Sequence, residues 1–269
     1  MSLFSILTPS LTAFAISFLV MPTVIKTAIH KGLVDKPGGR KQHERATPVI
    51  GGVAVFIGIL TSLLFWLDGE ALAMLKLPLA GTFLLAFLGL KDDMVEMKAK
   101  HKLLVQLVIG SVIGLSPLRV HLPAAMAGNL SYALFIECIL SMGIIVLLTN
   151  AYNLIDGING LAAGIGIIAS SVLAWLFFQH GDGLFAMLGL TVAGALLAYL
   201  PHNFPKAKTF MGDNGSLVIG FLLSIMGLRA LGMDPGGSSI PISLAAVAIP
   251  LLDTFQVILR RFVLVNFDF

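Results

Sequence analysis

Apolar residues fall in long runs broken by short polar links, and the length of the runs is the first clue to the fold. Nine of them occupy roughly 4–27, 49–67, 74–90, 103–119, 133–150, 160–178, 184–201, 215–232 and 240–259. Runs of about 17 to 25 residues match the hydrocarbon thickness of a bilayer, where a helix satisfies every backbone polar group internally. The expected fold class is therefore all-α: a polytopic transmembrane helix bundle of about nine membrane spans with its N-terminus outside. No heptads, low-complexity tracts or internal repeats divide the chain, so residues 1–269 read as one domain. Met1–Val24 lacks a basic leading segment and runs on into further membrane-like sequence, so no cleavable signal is expected.

Composition agrees with lipid as the solvent. Only 12% of the residues are charged and 57% are hydrophobic, where a soluble domain carries about a quarter charged. The single cysteine, Cys138, lies inside an apolar run and permits no internal disulfide. Charge distribution matters more than the net +3. One set of links (28–48, 91–102, 151–159, 202–214 and 260–269) receives 14 of the 17 Lys and Arg residues; the other receives Lys76, Arg119 and Arg229. The positive-inside rule puts the first set in the cytoplasm, at a bacterial inner membrane.

Four polar motifs fall on that side. Asp35-Lys-Pro-Gly-Gly-Arg-Lys-Gln-His43 runs into Ala46-Thr-Pro-Val-Ile-Gly-Gly52, a turning loop whose cations suit either phosphate or a plain membrane anchor. Lys91-Asp92-Asp93 closes an apolar helix. Adjacent carboxylates diverge around a helix and repel nearby negative charge, which calls for a cation: a divalent metal, or the lysines at 98, 100 and 102 in a solvated loop. Asn150, Asn153 and Asp156 recur every three residues as a polar stripe ending in Gly157, Asn159 and Gly160. One helix cap does not explain four such side chains beside hydrocarbon. Phe210-Met-Gly-Asp213-Asn-Gly-Ser216 precedes an apolar helix, as a plain N-cap or as a helix start that attracts phosphate. Hard oxygen donors without a Cys or His cluster point to Mg2+, with Mn2+ possible.

Together these motifs resemble those of the polyprenyl-phosphate N-acetylhexosamine-1-phosphate transferases, in order along essentially the whole chain. The match continues through Gly89-Leu-Lys-Asp92-Asp93 with Lys100 and Gln106, Asn203 to Ser216, and Ile249-Pro-Leu-Leu-Asp253-Thr. The resemblance implies that Asp213 is a metal ligand with Asn153 beside it and Asp93 as a third. It implies that Asp92, Asp93 and Asp156 are the catalytic carboxylates, Asp92 holding or deprotonating the lipid phosphate. Asp156, Gly157, Asn159, Asn203 and Phe210 would form the nucleoside side of the site, with Phe210 stacked on uracil. Lys100, His43 and Arg45 would contact phosphates.

The implied reaction is attack of undecaprenyl phosphate on UDP-N-acetylglucosamine, releasing UMP and starting a cell-envelope glycan. The first loop is more similar to that branch than to the one using UDP-N-acetylmuramoyl-pentapeptide, which stands as the alternative. A transporter would place charges near the bilayer midplane, whereas these motifs share one face. Expected partners are the UDP-sugar, undecaprenyl phosphate, membrane lipid and a possible second copy in a homodimer; no nucleic acid is expected. The family continues past its last matched motif into a histidine-containing loop and further helices, which this chain lacks. The 269-residue form is accordingly expected to be severely impaired, or a non-catalytic remnant. Glu137 is expected to face water near the outer interface, and His180 and Asp182 to be ordinary loop residues.

Overall fold

The computed structural model describes residues 3–35, 46–122, 132–233 and 239–266. Nine helices lie among these residues: α1 (Leu3–Lys31), α2 (Gly52–Trp66), α3 (Gly69–Met94), α4 (Ala99–Gly114), α5 (Ala133–Leu154), α6 (Leu161–Gln179), α7 (Gly183–Asn203), α8 (Asp213–Leu231) and α9 (Ser239–Asn266). Six of them, α1, α3, α5, α6, α7 and α8, are long and apolar enough to cross a bilayer. The chain is therefore a multi-pass membrane protein. The expectation of about nine spans meets nine helices of unequal reach. At 15 and 16 residues, α2 and α4 extend only about 23 Å each, and the apolar stretch of α9 is Leu244–Val257.

A small element falls outside the all-α expectation. Strands β1 (Val34–Asp35) and β2 (Thr47–Pro48) pair antiparallel, Val34 opposite Pro48 and Asp35 opposite Thr47. They pin the two ends of the first polar loop. His43 and Arg45 lie outside the described residues.

Hydropathy placed the helix ends too early. Helix α3 carries Lys91, Asp92 and Asp93 in its last turn, and α5 carries Asn150 and Asn153 in its last two turns. Asp92, Asp93, Asn150 and Asn153 are tolerated there because each finds a partner on another helix, so the helix outlasts the apolar run.

Helix α8 is the axis of the bundle. In the 18-residue window that marks its span, 89% of residues are buried, against 22% for α1. It packs against α3 and α5 most extensively, and also against α2, α6, α7 and α9. Glycines bring its first turn close to its neighbours. A Cβ on Gly52 would collide with Gly215, and one on Gly89 with Asp213 and Asn214. Small residues let helix backbones approach where lipid gives no hydrophobic drive to association. Outward faces carry Leu and Phe, among them Phe4, Leu19, Phe65, Phe87 and Phe135.

The far ends of the helices hold two ion pairs. Arg119 Nε meets Glu137 Oε2 at 2.7 Å, and the Leu122 N–H donates to Glu137 Oε1 at 2.9 Å. Glu137 does not face water: it is only 7% exposed, because the turn after α4 folds back over the start of α5. Asp182 is more than a loop residue too. Its Oδ1 caps the Phe185 N–H at the start of α7 (3.2 Å), while its Oδ2 accepts from Arg229 Nε on α8 at 2.7 Å.

Candidate functional site

The ends of α3 and α5 and the start of α4 meet at the first turn of α8. Asp213 opens that helix. Its Oδ1 accepts from Asn153 Nδ2 of α5 at 2.9 Å, and its Oδ2 from Lys102 Nζ of α4 at 2.8 Å. Lys102 also donates to Asp92 Oδ2 of α3 at 3.0 Å, and Asp92 Oδ1 accepts the Met97 N–H at 2.7 Å. Asn153 further donates to Ser216 Oγ at 2.7 Å. The structure thus brings Asp92, Asn153 and Asp213 together, as the sequence implied, through Lys102, one of the three lysines the sequence offered as counter-charge to the acid pair.

Asp93 points the other way. Its Oδ1 accepts the Asp213 N–H at 2.9 Å, and its Oδ2 accepts both the Asn214 N–H at 3.1 Å and the Asn214 side-chain amide. A carboxylate from α3 is therefore the cap of α8, filling the helix start that the sequence offered as a phosphate site or a local N-cap. Both oxygens of Asp93 are committed, which makes it a brace for the helix that presents Asp213. Divergence of the two acids follows from their adjacency on α3, about 100° apart around the axis.

Asp156 approaches from the loop after α5. It accepts the Gly212 backbone N–H, and burial together with the charges of Asp213 and Asp93 pushes its carboxyl well above the usual carboxylate range. Gly212 has φ +73°, and a Cβ there would strike the Val49 carbonyl and Asp93, so the turn into α8 requires glycine.

The loops expected on the nucleoside side are held by Asn203. This residue is 5% exposed; its Oδ1 accepts the Gly160 N–H at 2.6 Å and its Nδ2 donates to the Thr209 carbonyl at 3.0 Å. With both amide ends used, Asn203 ties the 155–160 loop to the 204–212 loop. Asn159 is exposed and donates to the Pro205 carbonyl at 3.4 Å. Gly157 is exposed, with open space where a Cβ would sit. Half-buried Phe210 is fixed through its backbone: its N–H donates to Pro48 and its carbonyl accepts from Gly51. Lys100 is exposed at the start of α4.

One turn deeper, Gln106 of α4 and Asn150 of α5 exchange side-chain amide hydrogen bonds. The pair fixes the register of α4 against α5, which sets Lys102 and Asn153 on either side of Asp213. The signal for Lys102 was present in the sequence: it lies four residues before Gln106, on the same helical face.

Charge at this end is unbalanced. Asp92, Asp93, Asp156 and Asp213 converge, and among the described residues one ammonium, that of Lys102, is bonded to two of them, Asp92 and Asp213. Partial burial works against the charge on Lys102, but the hydrogen bonds to Asp213 and Asp92 outweigh it and hold its pKa above the usual lysine value. A cation position between two carboxylates is thus already built. No group of three or more His, Cys, Asp and Glu side chains set for a metal occurs among the described residues. The Asp213 carboxylate with Asn153 beside it is the kind of donor set Mg2+ takes, one or two carboxylates with the shell completed by water and substrate phosphate.

The sequence matches the glycosyl transferase family 4 over residues 74–231. It is 35% identical over 260 residues to the probable undecaprenyl-phosphate N-acetylglucosaminyl 1-phosphate transferase of Bacillus subtilis, covering 93% of this chain and 71% of that protein. It is 32% identical to the decaprenyl-phosphate N-acetylglucosaminephosphotransferase of Mycolicibacterium smegmatis, over 93% and 69% of the two chains. A third relative, the undecaprenyl-phosphate alpha-N-acetylglucosaminyl 1-phosphate transferase of Yersinia pestis, is 30% identical over 97% and 73%.

Proposed function

The chain belongs to glycosyl transferase family 4, and on that premise we propose that it transfers N-acetylglucosamine 1-phosphate from UDP-N-acetylglucosamine to undecaprenyl phosphate, releasing UMP. The observation that carries this reading is the convergence of Asp213, Asn153, Asp92 and Lys102 at the start of α8, in a chain whose relatives are named undecaprenyl-phosphate N-acetylglucosaminyl 1-phosphate transferases. The site's motifs belong to the set of links to which the sequence assigns 14 of the 17 Lys and Arg, which favours the cytoplasmic face of a bacterial inner membrane and an outside N-terminus. Labelling of single cysteines tests that sidedness.

Asp213, with Asn153 beside it, would hold Mg2+, which would supply positive charge to the donor phosphates and to the departing UMP. The remaining work belongs to the chain. Asp93 fixes the start of α8 and hence the direction of Asp213. Asp92, pinned by the Met97 N–H, faces the acceptor phosphate; that group is largely ionised near neutral pH, so Asp92 serves to position it more than to deprotonate it. Asn203 keeps the 155–160 and 204–212 loops at one spacing for the nucleoside. Phe210, Gly157 and Asn159 line its approach, with Asp156 at the base between them and Asp213.

Donor choice is read by offering labelled UDP-N-acetylglucosamine or UDP-N-acetylmuramoyl-pentapeptide with undecaprenyl phosphate and Mg2+. Thermal protection by each donor serves as a second readout that needs no turnover. Lipid-linked label and protection from the first donor are expected; both from the pentapeptide donor alone would reject the assignment.

A further inference from the structure

The ammonium between Asp92 and Asp213 bears on how the site is loaded. Lys102 Nζ lies 3.0 Å from Asp92 Oδ2 and 2.8 Å from Asp213 Oδ2, and its side chain is 24% exposed. Those oxygens are hard donors of the kind a divalent cation takes, at about 2.0–2.1 Å for Mg2+. A metal drawn to Asp213 at that distance meets a like charge already in contact with the same oxygen, so the two compete. Lysine is suited to yielding, being a point charge on a flexible four-carbon stem with an exposed flank.

We propose that Lys102 is an exchangeable placeholder for the divalent cation, holding Asp92 and Asp213 together in the metal-free protein and leaving Asp213 when the metal arrives. The inference rests on the reading of Asp213 as metal ligand. Two consequences follow from the geometry. Metal affinity of the resting protein is lowered by the work of displacing the ammonium. The displaced ammonium stays within a side chain's reach of the donor's phosphates, so metal and donor favour each other's binding, as linkage requires of two ligands that select the same arrangement. A lysine that only braced α4 against α8 would give neither effect.

The test uses Mn2+ as the probe, with free Mn2+ followed by electron paramagnetic resonance during titration of the whole chain in lipid nanodiscs. K102M keeps the stem and removes the charge; it should bind Mn2+ about tenfold more tightly or better, roughly what relief of one adjacent like charge provides in a partly screened site. Equal or weaker binding by K102M, while D213N abolishes binding in the parent, overturns the placeholder and leaves the metal reading standing. Binding unchanged by D213N in both backgrounds overturns the two together. Because K102M can fail to fold, the unsubstituted chain supplies a second measurement: acylation of Lys102 by an amine reagent, read by mass spectrometry against exposed Lys98. Saturating Mg2+ should speed labelling of Lys102 by about threefold or more, as its release from Asp213 requires; unchanged or slower labelling overturns the proposal.

Discussion

The two ends of α8 treat charge in opposite ways. At its last turn Arg229 meets Asp182, and nearby Arg119 meets Glu137: each cation has one carboxylate, and each carboxylate also accepts a backbone N–H. At its first turn, about 24 Å away along the axis, four acidic side chains converge, and among the described residues one ammonium is bonded to two of them, Asp92 and Asp213. Matched pairs hold a fold together, whereas an acid cluster with a shared cation keeps a demand for further positive charge, at some cost to stability. A bundle built for stability alone would have closed both ends alike.

Removing the central acid should break this contrast most severely. Asp213→Asn is expected to lower transfer by a factor on the order of 100 to 1,000 or more, the usual cost of losing a principal charge-stabilising group. The helices should stay folded, since Asp93 still caps α8. Turnover of labelled UDP-N-acetylglucosamine alongside circular dichroism checks this, and activity within a fewfold of the parent would remove Asp213 from the chemistry.

Asp93 and Asp182 separate bracing from chemistry. Asp93→Ala strips three hydrogen bonds from the start of α8; a loss of about 2–4 kcal/mol is expected, with activity falling as the site loosens. Asp93→Asn keeps an acceptor and should recover part of both. Asp182→Ala loses a helix cap and a partly exposed ion pair, together worth about 1–2 kcal/mol, with kcat and KM of the folded fraction unchanged. Thermal unfolding in nanodiscs, paired with kinetics, reads both. Equal kinetic damage from Asp93→Ala and Asp182→Ala would erase the distinction between the two ends.

Much of this was legible in the sequence because lipid restricts the choices. Apolar length alone gave the helices, and the three-residue spacing of Asn150, Asn153 and Asp156 placed them at one end of α5 and its loop. What escaped were contacts between helices distant in sequence. That Asp93 caps α8 was hidden because an adjacent acid pair does not reveal which member turns toward α8; Gly89, one turn earlier and in collision range of Asp213 and Asn214, marks that face in retrospect. Lys100 and Lys102 were alike until Gln106 fixed the inward face of α4. Glu137 read as solvated because Arg119, on the far side of a link, gave no sign of folding back onto it. Helices α2 and α4 show the limit of the length rule: a short helix packed among longer ones satisfies the same pattern without reaching across the bilayer unaided.

The last prediction asks which end faces the cytoplasm and should leave function untouched. On a Cys138→Ala background, one cysteine replaces exposed Lys98 at the acid-cluster end and another replaces exposed Gln179 at the ion-pair end. Neither side chain is bonded into the cluster or the pairs described above, so transfer should stay within about twofold of the parent, as for most surface substitutions. In intact cells a membrane-impermeant thiol reagent should label the cysteine at 179 and spare the one at 98 until the membrane is opened. The charge pattern carries this expectation, and the structure sharpens it. Three cations stand on the expected outer side, and the structure gives two of them, Arg119 and Arg229, a carboxylate partner; the count of three against 14 is what leaves that end outside. Labelling of 98 in intact cells would put the acid cluster outside, away from a nucleotide-sugar donor, and remove the basis for the proposed reaction while leaving the fold and its two unlike ends intact.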